Sequence, residues 1–332
     1  MNLTEVREIA REKMKGTCGV YKVCDGLPDR LCQGMKYGKP IGIGGIGKGL
    51  SFAANVAALD RLKLKTRLIT PHQPPDMRTV FLGKEVSLPF YCTSMSGVKI
   101  SMGGGVTEVE FARAVMQGSK AEGIIGFMGD GAETFEEKPG LRAIREAGGW
   151  GVQMFKPREQ TVLRKLIEEA EEAGAVAVGL DLDGAGSVPM QIVGQPVFRK
   201  SLAELKELVR STKLPFIIKG ISSEEDVRDA LETGCKAIAI SNHGGRTLDS
   251  MQGIADVLPR LVPLMKGKVT IMADGGVRTG FDILKMLALG AEFVGVRREM
   301  IRAVIGGGAE GVRIEIGYLK ADLHKAMVMT SC

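Results

Sequence analysis

The chain is poor in the residue types that would announce several large classes of protein. Its 332 residues include six cysteines, three histidines and one tryptophan, and aromatic residues make up only 5%. Six thiols, at Cys18, Cys24, Cys32, Cys92, Cys235 and Cys332, are too sparse for the disulfide framework of a small secreted protein, so they read as reduced. No apolar run approaches the length of a membrane span, and the opening MNLTEVREIAREKMKG reads as a charged amphipathic helix without the apolar centre of a secretory leader. A soluble, cytoplasmic protein with no membrane partner is therefore expected. The formal charge of +6 is interspersed Lys and Arg among Asp and Glu, with no basic tract, which argues against a nucleic-acid partner.

What the chain does have is length, a hydrophobic content of 44% and one repeated pattern. From about residue 86 onward, a short apolar run, a turn and a charged amphipathic segment follow one another, as βα units do. Eight candidate strands can be counted, at 88–92, 123–128, 151–155, 175–180, 215–219, 237–241, 269–273 and 293–296. Helical stretches such as 159–173 and 222–233 lie between them, the latter opened by a Ser-Ser-Glu-Glu segment suited to capping. Runs such as FIIK, AIAIS and VTIMA are apolar throughout, which suits a parallel sheet covered on both faces. Eight such units predict an α/β fold, a closed (β/α)8 TIM barrel over 86–332. Residues 1–85 are then an N-terminal helical and loop extension packed on the barrel, within one structural domain. In such barrels the chemistry lies on the loops after the strands.

The Gly-rich GIGGIGKG at 42–49 has the glycine and lysine separation of a phosphate loop. It lacks the hydroxyl expected after the lysine and any preceding strand, so it reads as a loop leading into a helix near 51–62. Cys18, Cys24 and Cys32 would need a fourth thiol, for which Cys92 is the candidate, to hold zinc or an iron–sulfur cluster. Their spacing is not that of a tight knuckle, so no metal is expected. SNHGGRTLD, from Ser241 to Asp249, is more telling, because it sets His243 and Arg246 beside paired glycines directly after an apolar strand. ADGGVRTG places Asp274, Gly275, Gly276 and Arg278 just before a helix, and the last strand ends in Arg297 and Arg298. Cations after the seventh and eighth strands of a barrel read as a phosphate site.

The run PFIIKGISSEEDVRDALETGCKAIAISNHGGRTLD, followed by IMADGGVRTGFDILKMLALGAEFVGV, resembles the FMN-dependent 2-hydroxy-acid oxidases and dehydrogenases, which include glycolate and lactate oxidases. TVFLGKEVSLPF and GVQMF extend the resemblance to roughly 78–310. It implies FMN as cofactor, a small-molecule substrate and a homo-oligomer, a tetramer or larger. It further implies that His243 is the acid/base, Asp183 its carboxylate partner and Arg246 a substrate-carboxylate ligand. Lys219 would lie near the flavin's pyrimidine edge and Gln153 on its ring. Asp274, Gly275, Gly276, Arg278 and Arg298 would hold the ribityl chain and phosphate. Ser94, Met95 and Ser96 would pass the flavin on the first-strand loop, and Asp181, Ser241 and Arg297 would complete the cofactor contacts.

Several positions depart from that family's pattern. Phe155 stands where a Tyr follows the Gln, and Asp181 replaces a Thr. Gly129 and Asp130 replace Ser residues, Arg297 replaces a Gly, and the segment before Arg199 has no second arginine for a substrate carboxylate. The leading expectation is oxidation of a 2-hydroxy acid, or a related hydroxy compound, to its 2-oxo product. The alternatives are a non-redox isomerase resembling the type 2 isopentenyl diphosphate isomerases, or a flavin-binding protein altered in its catalysis.

Overall fold

In a computed structural model, residues 1–14, 45–46, 49–102, 104–132, 136–187, 190–191 and 193–332 are described. Helices α1 (Leu3–Met14) and α2 (Leu50–Arg61) come first, then a hairpin of β1 (Thr79–Phe81) and β2 (Lys84–Val86). Leu82 at φ 45° and Gly83 at φ 87° form its turn. Eight parallel strands then close a barrel: β3 (Phe90–Met95), β4 (Gly126–Met128), β5 (Val152–Phe155), β6 (Ala177–Asp181), β7 (Phe216–Ile221), β8 (Ala237–Ile240), β9 (Thr270–Asp274) and β10 (Phe293–Val296). Each matches one of the eight apolar runs to within about three residues. β10 closes the ring by pairing with β3 through Val294 and Phe90.

The helices of the outer layer are α3 (Glu108–Ala121), α4 (Pro139–Glu146), α5 (Gln160–Glu172), α6 (Leu202–Arg210), α7 (Glu224–Glu232), α8 (Ile254–Met265), α9 (Gly280–Ala288) and α10 (Arg298–Thr330). Their starts carry the expected chemistry. Thr107, Ser201 and Thr279 form capping boxes with Glu110, Glu204 and Asp282, and Ser223 caps the acidic first turn of α7. A 3-10 turn, Leu182–Gly186, follows β6 instead of a loop running straight into a helix.

Two apolar cores result. The larger lies between strands and helices, and the smaller fills the barrel with Tyr91, Phe127, Val152, Met154, Ala177, Ile217, Ala239, Met272 and Phe293. Phe81 of the hairpin plugs the N-terminal end, edge-on to Phe127 at 5.8 Å and to Phe293 at 5.0 Å. With that end sealed, the polar ends of the strands open at the other, where β/α barrels carry their chemistry. α1 is bound to α10 by a buried ion pair, Arg7 to Glu315 at 3.0 Å.

Candidate active site

Side chains on a strand alternate between faces, so the inward series can be followed from the barrel core to the mouth. On β5 it runs Val152, Met154, Lys156; on β6, Ala177, Gly179, Asp181; on β7, Ile217, Lys219; on β8, Ala237, Ala239, Ser241; on β9, Met272, Asp274; and on β10, Phe293, Gly295, Arg297. The series ends in a ring of mostly alternating charge. Lys156 Nζ reaches Asp181 Oδ2 at 3.2 Å, and Lys219 Nζ reaches Asp181 Oδ1 at 3.1 Å and Asp274 Oδ2 at 3.6 Å. Ser241 Oγ accepts from Lys219 Nζ at 3.2 Å and donates to Asp274 Oδ1 at 2.7 Å. Ser94 Oγ donates to Asp181 Oδ2 at 3.3 Å.

Low dielectric makes each of these charges depend on its neighbours. Burial opposes ionisation of Asp181, but Lys156 and Lys219 outweigh it and hold the carboxyl well below its usual range. Burial likewise works against a charged Lys219, and Asp181, Asp274 and Asp183 more than offset it, so the ammonium is firmly protonated.

His243 stands directly over this ring. Its backbone is left-handed at φ 55°, followed by Gly244 at 65° and Gly245 at 79°, and its N–H donates to Ser241 Oγ at 3.0 Å. A non-glycine residue in that region is uncommon. Its Nδ1 lies 3.1 Å from Asp183 Oδ1, which follows β6 on the 3-10 turn. Asp183 fits because Gly220 of β7 has no side chain: a Cβ there, at φ 90°, would stand 2.5 Å from the Asp183 carboxyl carbon. Burial lowers the imidazole pKa below its usual value, and Lys156 and Lys219 add to that, against the opposing pull of Asp183. The ring is therefore neutral at neutral pH.

The second part of the site is a cleft lined by Phe52, Gly244, Gly275, Gly276, Arg278, Arg297 and Arg298, among others. Arg298 donates to Gly244 O at 2.9 Å and lies 4.1 Å over the Phe52 ring, so α2 of the N-terminal extension helps to build it. Asn55 of the same helix exchanges amide hydrogen bonds with Asn242 and accepts from Ile254 N. Gly275 and Gly276, at φ 139° and 82°, run against Asn55 so closely that a Cβ on Gly276 would stand 2.9 Å from its carbonyl. At the start of α9 the Asp282 carboxylate accepts from the Arg278 and Thr279 N–H groups, Thr279 Oγ1 accepts from Asp282 N, and Arg278 Nε donates to Gly276 O. An anion here would therefore be met by the glycine loop and the arginines. Among the described residues, Arg297 Nε and Nη1 are buried without an acceptor, and burial, with Arg246 and Arg298 nearby, depresses the guanidinium. Three arginines around a glycine loop, one with orphaned donors, fit the phosphate of FMN.

Most of the expected site residues are thus brought together, namely His243, Asp183, Arg246, Lys219, Ser94, Asp181, Ser241, Asp274, Gly275, Gly276, Arg278, Arg297 and Arg298. Ser96 faces Gly129 and Gly131 on the neighbouring loop. The side chains of Gln153 and Met95 lie away from the mouth. The Gln153 side chain lies on the outer face of β5, donates to Met128 O and Met154 O, and points its Oε1 at Gly140 of α4. Met95 likewise packs in the outer core. Phe155 shares that outer face, so the site-facing residue is its neighbour Lys156; a one-residue offset on a strand exchanges the faces. Sequence reasoning missed Lys156, Arg158, Phe52 and Asn55. The acids at the departing positions do not stand alone either: Asp130 pairs with Arg158, and Asp181 with two lysines.

Asp181, Asp183 and His243 bring ligand-type atoms within 4.8 Å of one another, but ammonium groups already neutralise Asp181. Cys92 is buried in the outer core, where burial raises its thiol pKa. Cys18, Cys24 and Cys32, and most of 42–49, lie outside the described residues.

The family model for FMN-dependent dehydrogenases matches residues 42–190 and 187–332. 2-Hydroxyacid oxidase 2 of Rattus norvegicus is 29% identical over 314 residues, covering 86% of this chain and 87% of that protein. An L-lactate oxidase of Lacticaseibacillus rhamnosus is 27% identical over 316 residues, covering 86% and 83%. A variant of mandelate oxidase with 2-hydroxy-phenylacetamide shares the fold at a TM-score of 0.79 and 24% identity, covering 100% of this chain and 94% of that one.

Proposed function

Because the chain belongs to the family of FMN-dependent dehydrogenases, we propose that it oxidises a small 2-hydroxy acid to the 2-oxo acid with His243 as the base. FMN is the cofactor, and when bound it supplies the two-electron acceptor. The protein's part is to hold both molecules and to move a proton. Arg278, Arg297, Arg298 and the Gly275–Gly276 loop would hold the phosphate, and Lys219, Ser241 and Asp274 would meet the ribityl chain and ring from inside the barrel.

The observation that carries the reading is the His243–Asp183 pair above the charged mouth of a barrel sealed at its other end. Asp183 accepts from Nδ1–H, which fixes the tautomer and leaves Nε2 as the lone-pair base. Burial keeps that nitrogen unprotonated until a substrate arrives. A hydroxy acid loses two protons and two electrons on becoming an oxo acid; His243 takes one of those protons, the other would leave with the electron pair to the cofactor, and Asp183 stabilises the imidazolium that forms. Arg246 binds the carboxylate. The isomerase alternative has no use for this imidazole.

His243→Ala should purify yellow, with FMN bound, and its flavin should no longer bleach with 2-hydroxy acids under anaerobic conditions. Unchanged bleaching would remove His243 from the reaction. The same reading includes a homo-oligomer, a tetramer or larger, in the cytoplasm, and light scattering on the purified protein tests the assembly. No described helix is long and apolar enough to cross a membrane.

A further inference from the structure

Two of the positions that depart from the family pattern, Asp130 and Asp181, meet at one residue, Lys156. Its backbone N–H donates to Asp130 Oδ1 at 2.7 Å, and Asp130 is itself paired with Arg158. Its aliphatic chain crosses Gly184 of the 3-10 turn, where a Cβ would stand 2.5 Å from Lys156 Cδ. Its ammonium meets Asp181, which stands in place of a neutral Thr. Asp130, Asp181 and the glycine of the turn thus form one cradle, and what they hold is a cation beside His243.

That cation differs from its neighbour in the ring. Lys219 meets Asp181, Asp274 and Ser241, and its side chain is 4% exposed. The Lys156 side chain is 14% exposed, and among the described residues its ammonium has one acceptor, Asp181, for three N–H donors. Arg246 follows β8, three strands further round the ring from β5, and His243 and Asp183 belong to the segments after β8 and β6.

Resting on the 2-hydroxy-acid reading, we propose that Lys156 is a substrate-carboxylate ligand, acting with Arg246 and serving in place of the Tyr and second Arg that the family pattern has. Asp181 is then a positioning residue that holds the ammonium at the mouth. A carboxylate shared by two cations binds through charge-assisted hydrogen bonds from both sides, which a single arginine cannot supply.

The test uses the FMN-loaded protein and oxalate, a small unreactive analogue, with binding read from the perturbation of the flavin absorbance. Lys156→Met should weaken oxalate by about 10- to 100-fold, as expected for losing one hydrogen bond to a charged group. Lys156→Gln keeps most of the reach without the charge and carries the same expectation should the Met variant fail to fold. The double variant Lys156→Met/Asp181→Thr should remain equally weak. Recovery of wild-type affinity in the double variant would mean that Lys156 only neutralises Asp181, and would overturn the proposal. Unchanged affinity in the single variants would overturn it too, as would loss of FMN from them, which would assign Lys156 to the cofactor. If the unaltered holoprotein ignores oxalate, the 2-hydroxy-acid reading fails along with it.

Discussion

At the scale of single residues, the account turns on a neutral imidazole. A base works only when unprotonated, and burial of His243, with Lys156 and Lys219 adding positive charge, places its pKa below the usual 6.5. The acid limb of kcat/KM should therefore fall below pH 6.5, with activity rising as pH rises through it and then levelling. The groups that set its position are Asp183 and Asp181, which favour the imidazolium, and Lys156 and Lys219, which oppose it. Lys156→Met removes an opposing charge and should shift the limb to higher pH; Asp183→Asn should shift it lower and reduce turnover, because the imidazolium loses its partner. A pH–rate profile for the three proteins checks both directions, and a limb that Lys156→Met leaves in place would mean that the ammonium does not sense His243.

At the scale of elements, the site is shared between the barrel and the extension. Asn55 on α2 satisfies Ile254 N and the Asn242 amide inside the protein, so Asn55→Ala leaves buried donors without acceptors. It should cost about 1–3 kcal/mol in urea unfolding and weaken FMN, since the Gly275–Gly276 loop lies on Asn55. α1 depends on a different contact: Glu315 is fully buried, its carboxyl pushed up to about 7 by burial, and Arg7 bonds to both of its oxygens. Arg7→Met leaves that acid without its partner and should destabilise the fold by about 3–5 kcal/mol, again read by denaturation. These contacts also show what was legible beforehand. The eight strands could be read because buried parallel strands are continuous apolar runs, and the helix starts because Ser and Thr caps act locally. For the same reason the inward face of β5 cannot be read from VQMF, which has no regular polar alternation to show which side looks in, so the resemblance names Gln153 and passes over Lys156. The Asn55–Asn242 pair spans 187 residues, and no local pattern announces it.

At the scale of the whole molecule, residues 1–85 supply the plug at one end of the barrel, a wall of the phosphate cavity and a buried ion-pair partner for α10. Unfolding them separately would expose all three, so the chain should unfold in one transition, with far-UV circular dichroism and tryptophan fluorescence coincident; two resolved transitions would make the extension a unit of its own. The central claim is that the charged barrel mouth holds FMN beside the His243–Asp183 pair and lets it take electrons from a 2-hydroxy acid. Anaerobic titration of the purified, FMN-loaded protein with a panel of 2-hydroxy acids, followed by flavin absorbance, tests it most directly. The account predicts that at least one of them bleaches the flavin in the native protein and none does in His243→Ala. A protein that stays colourless with added FMN, or a bound flavin that no 2-hydroxy acid reduces, would contradict it.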